Sequence, residues 1–323
     1  MKKSLIALAV AGAMTAPVVA QADATLYGSF RAALHSADDA DLDLRDESTR
    51  IGIKGDVDLG LNDTKGLFHW EANVDTTDND GNIFAPRLAY LGATGSWGTA
   101  LVGRQYHPHY LLINLPTSPF DSATSDAGEW NQLGNNVHKR VDNTVAYHSP
   151  VMGGFQVIGG AVIAGDGSDD NDAADSDVDG YNVAAKYAAG GLYVAASYGD
   201  VQEDVAGTAN DIETYGVAAS YQLGDLGLAA KYENQEVNNA YDANAWEVAA
   251  TYQIGATQLQ ARYSDFEEDE SNAEGNQWAV GVQHKLGKKG RVWVNYFDFD
   301  SDAEDLNPTK YIDRLAIGYR VDF

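Results

Sequence analysis

The sequence contains no cysteine. Disulfide staples, thiol nucleophiles and cysteine-ligated metals are excluded with it. Basic residues are scarce: 21 lysines and arginines stand against 48 aspartates and glutamates, a net charge of −27. Phosphate backbones are repelled by such a surface, which excludes nucleic acid as a partner and favours cations or a strongly hydrated exterior. Long apolar runs are also missing. Beyond residue 22 no stretch of about eighteen apolar residues occurs, so a membrane-spanning helix is excluded. A membrane β-barrel is not excluded, because its strands hide their hydrophobicity by alternation.

What is present begins with an export signal. Lys2 and Lys3 precede an apolar stretch over residues 4–20, followed by "AQA" at residues 20–22. Charged, then apolar, then small-x-small is the pattern of a secretory signal peptide. Residues 1–22 are therefore expected to be removed, leaving one exported domain over residues 23–323.

Strand-like segments then recur to the end of the chain. Sixteen are counted, from residues 24–36 and 48–60 through to 310–323. In residues 48–60, Ile51, Ile53, Val57 and Leu59 share one face, while Arg50, Lys54, Asp56 and Asp58 share the other. In residues 66–75, Phe68, Trp70, Ala72 and Val74 oppose His69, Glu71, Asn73 and Asp75. This is a period of two. Connections alternate between tight glycine-bearing turns, such as "AAGG" from Ala188 and "GD" at Gly224, and longer acidic loops, such as "DGSDDNDAADSDVD" from Asp166 and "VQEDVAGTAND" from Val201. Short and long connections in alternation describe an all-β, sixteen-stranded antiparallel barrel with turns on one rim and loops on the other. A β-sandwich would alternate in the same way. Three features favour the transmembrane barrel: the number of strands, tyrosines gathered near strand ends, and an even count that brings both termini to one rim.

The sequence resembles the Gram-negative general diffusion porins of the trimeric, sixteen-stranded type. The resemblance spans the mature chain and rests on "TLYGSF" (25–30), "STRIGIKG" (48–55), "RLAYLGATGSWGTALVGRQY" (87–106) and "IGYRVDF" (317–323). It implies an outer-membrane homotrimer, in contact with outer-membrane lipid and lipopolysaccharide, that passes small hydrophilic solutes and ions. It implies that the third long loop, residues 107–139, folds into the barrel and narrows it. It also implies that Tyr319, Val321 and Phe323, alternating to a terminal aromatic, form the signal read by the barrel insertion machinery. The narrowing needs acids on the loop facing bases on the wall. The candidate acids are Asp121, Asp126 and Glu129, and the candidate bases are Arg31, Arg50, Lys54, Arg104 and Arg140. Parity directs Arg31, Arg50 and Lys54 inward. Arg50 and Arg140 match wall arginines of the family, and Arg104 is included on resemblance alone. Many relatives carry a Pro-Glu-Phe-Gly segment on the loop; here it reads "LPTSPFD" (115–121), so which acid lines the pore is open.

The expected function is an outer-membrane porin with cation preference, on account of the acidic excess. The alternatives are a substrate-selective channel, hinted at by Tyr110 and Trp130, and a soluble, secreted, acidic β-sandwich binding protein. No catalytic constellation is evident, so no enzyme is expected. No cofactor is expected beyond divalent cations held loosely by the acidic loops. His107 and His109 form a H-x-H pair with no third ligand in view, too few for a metal site.

Overall fold

The computed structural model describes residues 23–37, 41–77, 83–120, 139–163, 178–205, 208–238, 241–270, 273–306 and 312–323. Nearly all of them lie in one antiparallel sheet that closes on itself. In chain order the strands are β1 (Asp23–Ala37), β2 (Asp43–Asp46), β3 (Arg50–Leu61), β4 (Thr64–Val74), β5 (Phe84–Gly95) and β6 (Gly98–Tyr106). Then follow β7 (Arg140–His148), β8 (Phe155–Val162), β9 (Gly180–Ala189), β10 (Leu192–Val205), β11 (Thr208–Leu223) and β12 (Leu226–Val237). The last are β13 (Tyr241–Ile254), β14 (Thr257–Glu268), β15 (Ala273–Leu286), β16 (Gly290–Phe299) and β17 (Arg314–Asp322), with one short helix, α1 (Ser301–Leu306), before β17.

Seventeen strands make sixteen staves. β1 pairs with β3 over Asp23–Ser29 and with β2 over Ala32–His35. β2 and β3 are thus two halves of one stave, interrupted at residues 47–49, where Ser48 has φ 68°. Thr49 bridges the interruption: its Oγ1 accepts from Arg31 N (2.9 Å) and donates to Arg31 O (3.1 Å). The seam closes where β1 pairs with β17, from Ser29 opposite Asp322 to Ala37 opposite Arg314.

The pattern of exposure is inverted relative to a soluble sheet. On β15, Trp278, Val280 and Val282 are 40, 45 and 43% exposed, while Gln277 and Gln283 are buried. The same holds on β1, where Leu26, Phe30 and Leu34 face outward and Ser29, Arg31 and His35 are buried. A continuous apolar exterior of this kind is stable against hydrocarbon and not against water. Aromatic pairs Tyr181–Tyr198, Tyr215–Tyr232, Trp246–Tyr263 and Trp278–Tyr296 bridge neighbouring strands from β9 to β16, as in an interfacial girdle.

The sixteen predicted segments coincide with the sixteen staves. The polar stretch from Val201, expected as a loop, is instead the far end of a hairpin, with pairing continuing from Val201–Ile212 to Val205–Thr208. Its charged residues carry no apolar alternation, so the strand signal faded although the backbone ladder continued. The tight turns use backbone that glycine adopts without strain: Gly190 and Gly191, between β9 and β10, have φ 58° and 86°.

The end of the chain is tied into the wall. Phe323 N donates to Gly28 O (3.1 Å), and Gly28 N donates to Phe323 O (3.3 Å). The Phe323 ring lies over Gly28, with its centroid 5.9 Å from that of Phe30 on the outer face.

Candidate functional site

Beyond β6 the chain turns into the barrel. Residues 110–114 form a single π-helical turn, and the described segment continues to Phe120. Its apolar residues explain the path. Leu112 and Ile113 are buried against Ile158, Ala184, Ala195 and Ala218 on the inner wall. Burying two such side chains stabilises the inward position by roughly 1.5–3 kcal/mol each. The wall makes room with small residues. A Cβ on Gly216 would stand 2.6 Å from His109 Cε1, so glycine permits the close approach.

Polar contacts fix the same turn. Glu233, on β12 and fully buried, accepts from Asn114 Nδ2 at 2.6 Å and lies 2.7 Å from His109 Nε2. Its second oxygen is 2.9 Å from Lys231 Nζ. The other ring nitrogen of His109 is 2.7 Å from Ser197 Oγ. A carboxylate only accepts, so Nε2 carries the proton toward Glu233 and the Ser197 hydroxyl serves Nδ1. Tyr193 donates to Leu112 O at 2.7 Å. Farther along, Gln260 Nε2 donates to Pro119 O (2.5 Å), and Phe120 packs on Phe297 with Arg262 5.3 Å from its ring centroid. The loop therefore crosses the lumen, seated on β9–β12 at one point and on β14–β16 at another. Both ring nitrogens of His109 are occupied by this anchorage, so His109 acts as a latch for the loop.

Between the loop and the opposite wall lies a cavity of about 700 Å³. Arg31, Arg50, Arg87, Lys139, Arg140, Arg291 and Arg320 line it, and no carboxylate does among the described residues. The nearby acids are already engaged. Glu71 accepts from Arg87 Nε (2.6 Å) and from the Tyr27 hydroxyl (2.7 Å). Asp322 accepts from Arg320 Nε (2.8 Å) and lies 3.6 Å from Arg291 Nη2. Arg140 stacks on the Tyr106 ring (5.3 Å) and Lys139 on the Tyr110 ring (5.0 Å), and the two tyrosines pack together at 5.2 Å.

Of the predicted bases, Arg31, Arg50 and Arg140 meet at this cavity. Lys54 does not line it; its ammonium lies over the Tyr27 ring at 5.0 Å, two periods of the strand alternation beyond Arg50 toward the short-turn rim. Arg104 does not line it either. The register slips between Gly103 and Gln105, and Arg104 pairs there with Asp142. Asp121, Asp126, Glu129 and Trp130 lie outside the described residues, as does the acidic run from Asp166. Reading the sequence missed Arg291 and Arg320, although alternation places them opposite Val292 and Tyr319. Arg87 was beyond a parity argument. Glu71 pairs with Leu88 and Ala72 with Pro86, so Arg87 is the extra residue of a β-bulge that aims it at Glu71.

A closed barrel with a lipid-compatible exterior, a polar interior and a loop folded across the lumen defines a bacterial outer-membrane channel protein. A model of the Gram-negative porins matches residues 7–304, and the chain belongs to that family. It is an outer-membrane protein and not an enzyme. Chitoporin from Vibrio furnissii is 30% identical over 200 residues, 57% of this chain and 52% of the relative. The major outer membrane protein P.IB of Neisseria meningitidis serogroup B is 29% identical over 167 residues, 48% of this chain and 47% of the relative. The chain thus spans about half the length of the curated relatives it matches. Among solved structures, the anion-selective porin from Comamonas acidovorans superposes with a TM-score of 0.76 at 19% identity, covering 94% of this chain and all 100% of the other. Salmonella typhi OmpF in complex with daunomycin gives 0.72 at 20% identity, over 93% of this chain and 97% of the other. At such identities these structures establish the fold.

Proposed function

We propose that the protein is a passive pore for small hydrophilic solutes in which the constriction favours anions. One observation carries this reading: seven cationic side chains line the narrowed lumen against two neighbouring carboxylates, Glu71 and Asp322, which pair with Arg87 and Arg320, so the described charges there keep a cationic excess. The expectation of cation preference rested on the net charge of −27, which averages over the whole chain. A permeating ion feels most strongly the charges within about a Debye length of the narrowest section, and the described charges there are positive. The anion selectivity named for the Comamonas porin supports the same sign.

Reversal potentials across planar bilayers under a potassium chloride gradient test the proposal. Anion preference is expected, and Arg50→Gln with Arg140→Gln should move the reversal potential toward the cation side. Arg104→Gln, away from the cavity, should leave it unchanged. Cation preference in the unaltered protein would overturn the reading.

The working unit in this reading is a homotrimer, as in the OmpT trimer form from Vibrio cholerae, which superposes with a TM-score of 0.70. The girdle supports it. The bridging pairs run from β9 to β16, whereas the outer face of β1–β6 presents Leu26, Leu34, Ile53 and Leu91, and no tyrosine or tryptophan pair links two of these strands among the described residues. That arc suits protein–protein contact better than the lipid interface. Resistance of the unheated oligomer to detergent electrophoresis tests it. Divalent bridging of the acidic loops to lipopolysaccharide phosphates belongs to the same reading; a thermal transition indifferent to chelator would count against it.

A further inference from the structure

The cavity at the constriction has two unlike sides. Its wall side is guanidinium-rich, with Arg50 and Arg140 among the lining residues. Its loop side places the apolar Leu115 and Pro119 among the polar Asn114, Ser118 and Lys139. Leu115 stands out. Leu112, Ile113 and Phe120 on the same loop are all buried against the wall, whereas Leu115 is 52% exposed and borders the cavity. The exposed apolar residues of the strands face the lipid side. Leu115 faces the path of a solute. A single exposed leucine is commonplace, but this one lines the same cavity as Pro119 and the wall arginines.

A chloride or phosphate ion would engage only the arginines. A neutral sugar would accept hydrogen bonds from the guanidiniums without answering their charge, and offers the leucine little apolar surface. A molecule with a carboxylate at one end and a flat apolar body at the other would engage both. We infer that the constriction is a binding site for amphipathic monocarboxylates of the aromatic-acid class, with the carboxylate held by Arg50 and Arg140 and the ring resting on Leu115 and Pro119. A carboxylate accepts from guanidinium in a forked, charge-assisted geometry. The ring sheds water against the leucine, and the cavity of about 700 Å³ has room for it. This inference rests on the anion preference proposed above and adds the apolar half of the ligand.

The test uses the purified full channel in planar bilayers, with chloride current as the readout. Three probes are added in turn: benzoate, lactate as a hydrophilic monocarboxylate, and benzylamine as the same ring with the opposite charge. Benzoate should half-block the chloride current at a concentration about fivefold below lactate, the factor that burying a small apolar contact provides. Benzylamine should not block in that range. Leu115→Asn, at an exposed position that the barrel does not need for packing, should bring benzoate and lactate together while the reversal potential in potassium chloride stays where it was. Heat-modifiable electrophoretic mobility verifies that the variant is folded. Equal block by benzoate and lactate, with anion preference intact, would overturn the inference and leave the anion reading standing. An unchanged benzoate advantage in Leu115→Asn would overturn the assignment of the apolar contact. Cation preference, with benzylamine the stronger blocker, would overturn both readings.

Discussion

Glu233 is fully buried on β12. It accepts from His109 and Asn114 and pairs with the Lys231 ammonium. A buried ion pair of this kind adds little stability compared with a hydrophobic replacement, yet removing one member leaves the other charge stranded. Glu233→Ala should therefore destabilise the barrel by about 3–5 kcal/mol at most. The loop turn should also loosen. Thermal unfolding in detergent and open-channel current noise are the measurements; a variant with an unchanged transition and a quiet channel would show that the latch does not hold the loop. Single positions of this kind were only partly legible in the sequence. Arg31 and Arg50 followed from alternation, because an unbroken strand fixes the side to which each residue points. Arg87 and Arg104 did not, because each sits at a register slip that only strand pairing reveals.

Elements show a similar division. Every stave was marked by its own alternation, and the tight turns by their glycines. The short strand β2 ahead of residues 47–49 was not marked, nor was the continuation of the hairpin beyond Val201, because neither carries apolar alternation. The inward course of the loop after β6 was legible in its apolar content. Its seat was not, since that depends on the wall leaving space at Gly216. Gly216→Val should thus push the π-helical turn off β11. Single-channel conductance should change, while the strand content by circular dichroism should not. Conductance identical to that of the unaltered protein would mean that the loop tolerates the clash by local adjustment.

Across the whole molecule, the last residue and the first strand form one seam. Phe323 contributes two backbone hydrogen bonds to Gly28 and a ring contact to Phe30. Tyr319 and Val321 precede it on the same outer face. These three residues are proposed as the signal for the insertion machinery. Phe323→Ala should lower the folded, heat-modifiable fraction recovered from outer membranes severalfold, with a smaller effect on refolding in pure detergent. Equal losses in both settings would assign the residue to closure of the seam alone.

The sequence by itself determined that the chain is a barrel with a greasy outside and a wet inside. Period-two alternation is a local property of extended backbone, and sixteen repetitions of it leave few other ways to hide an apolar face. Which described charges meet at the constriction was decided only by the tertiary structure. Arg31, Arg50 and Arg140 come together there from separate segments of the chain, while Glu71 and Asp322 are taken up by Arg87 and Arg320. A net charge is a sum over residues, whereas selectivity depends on where in space those residues converge.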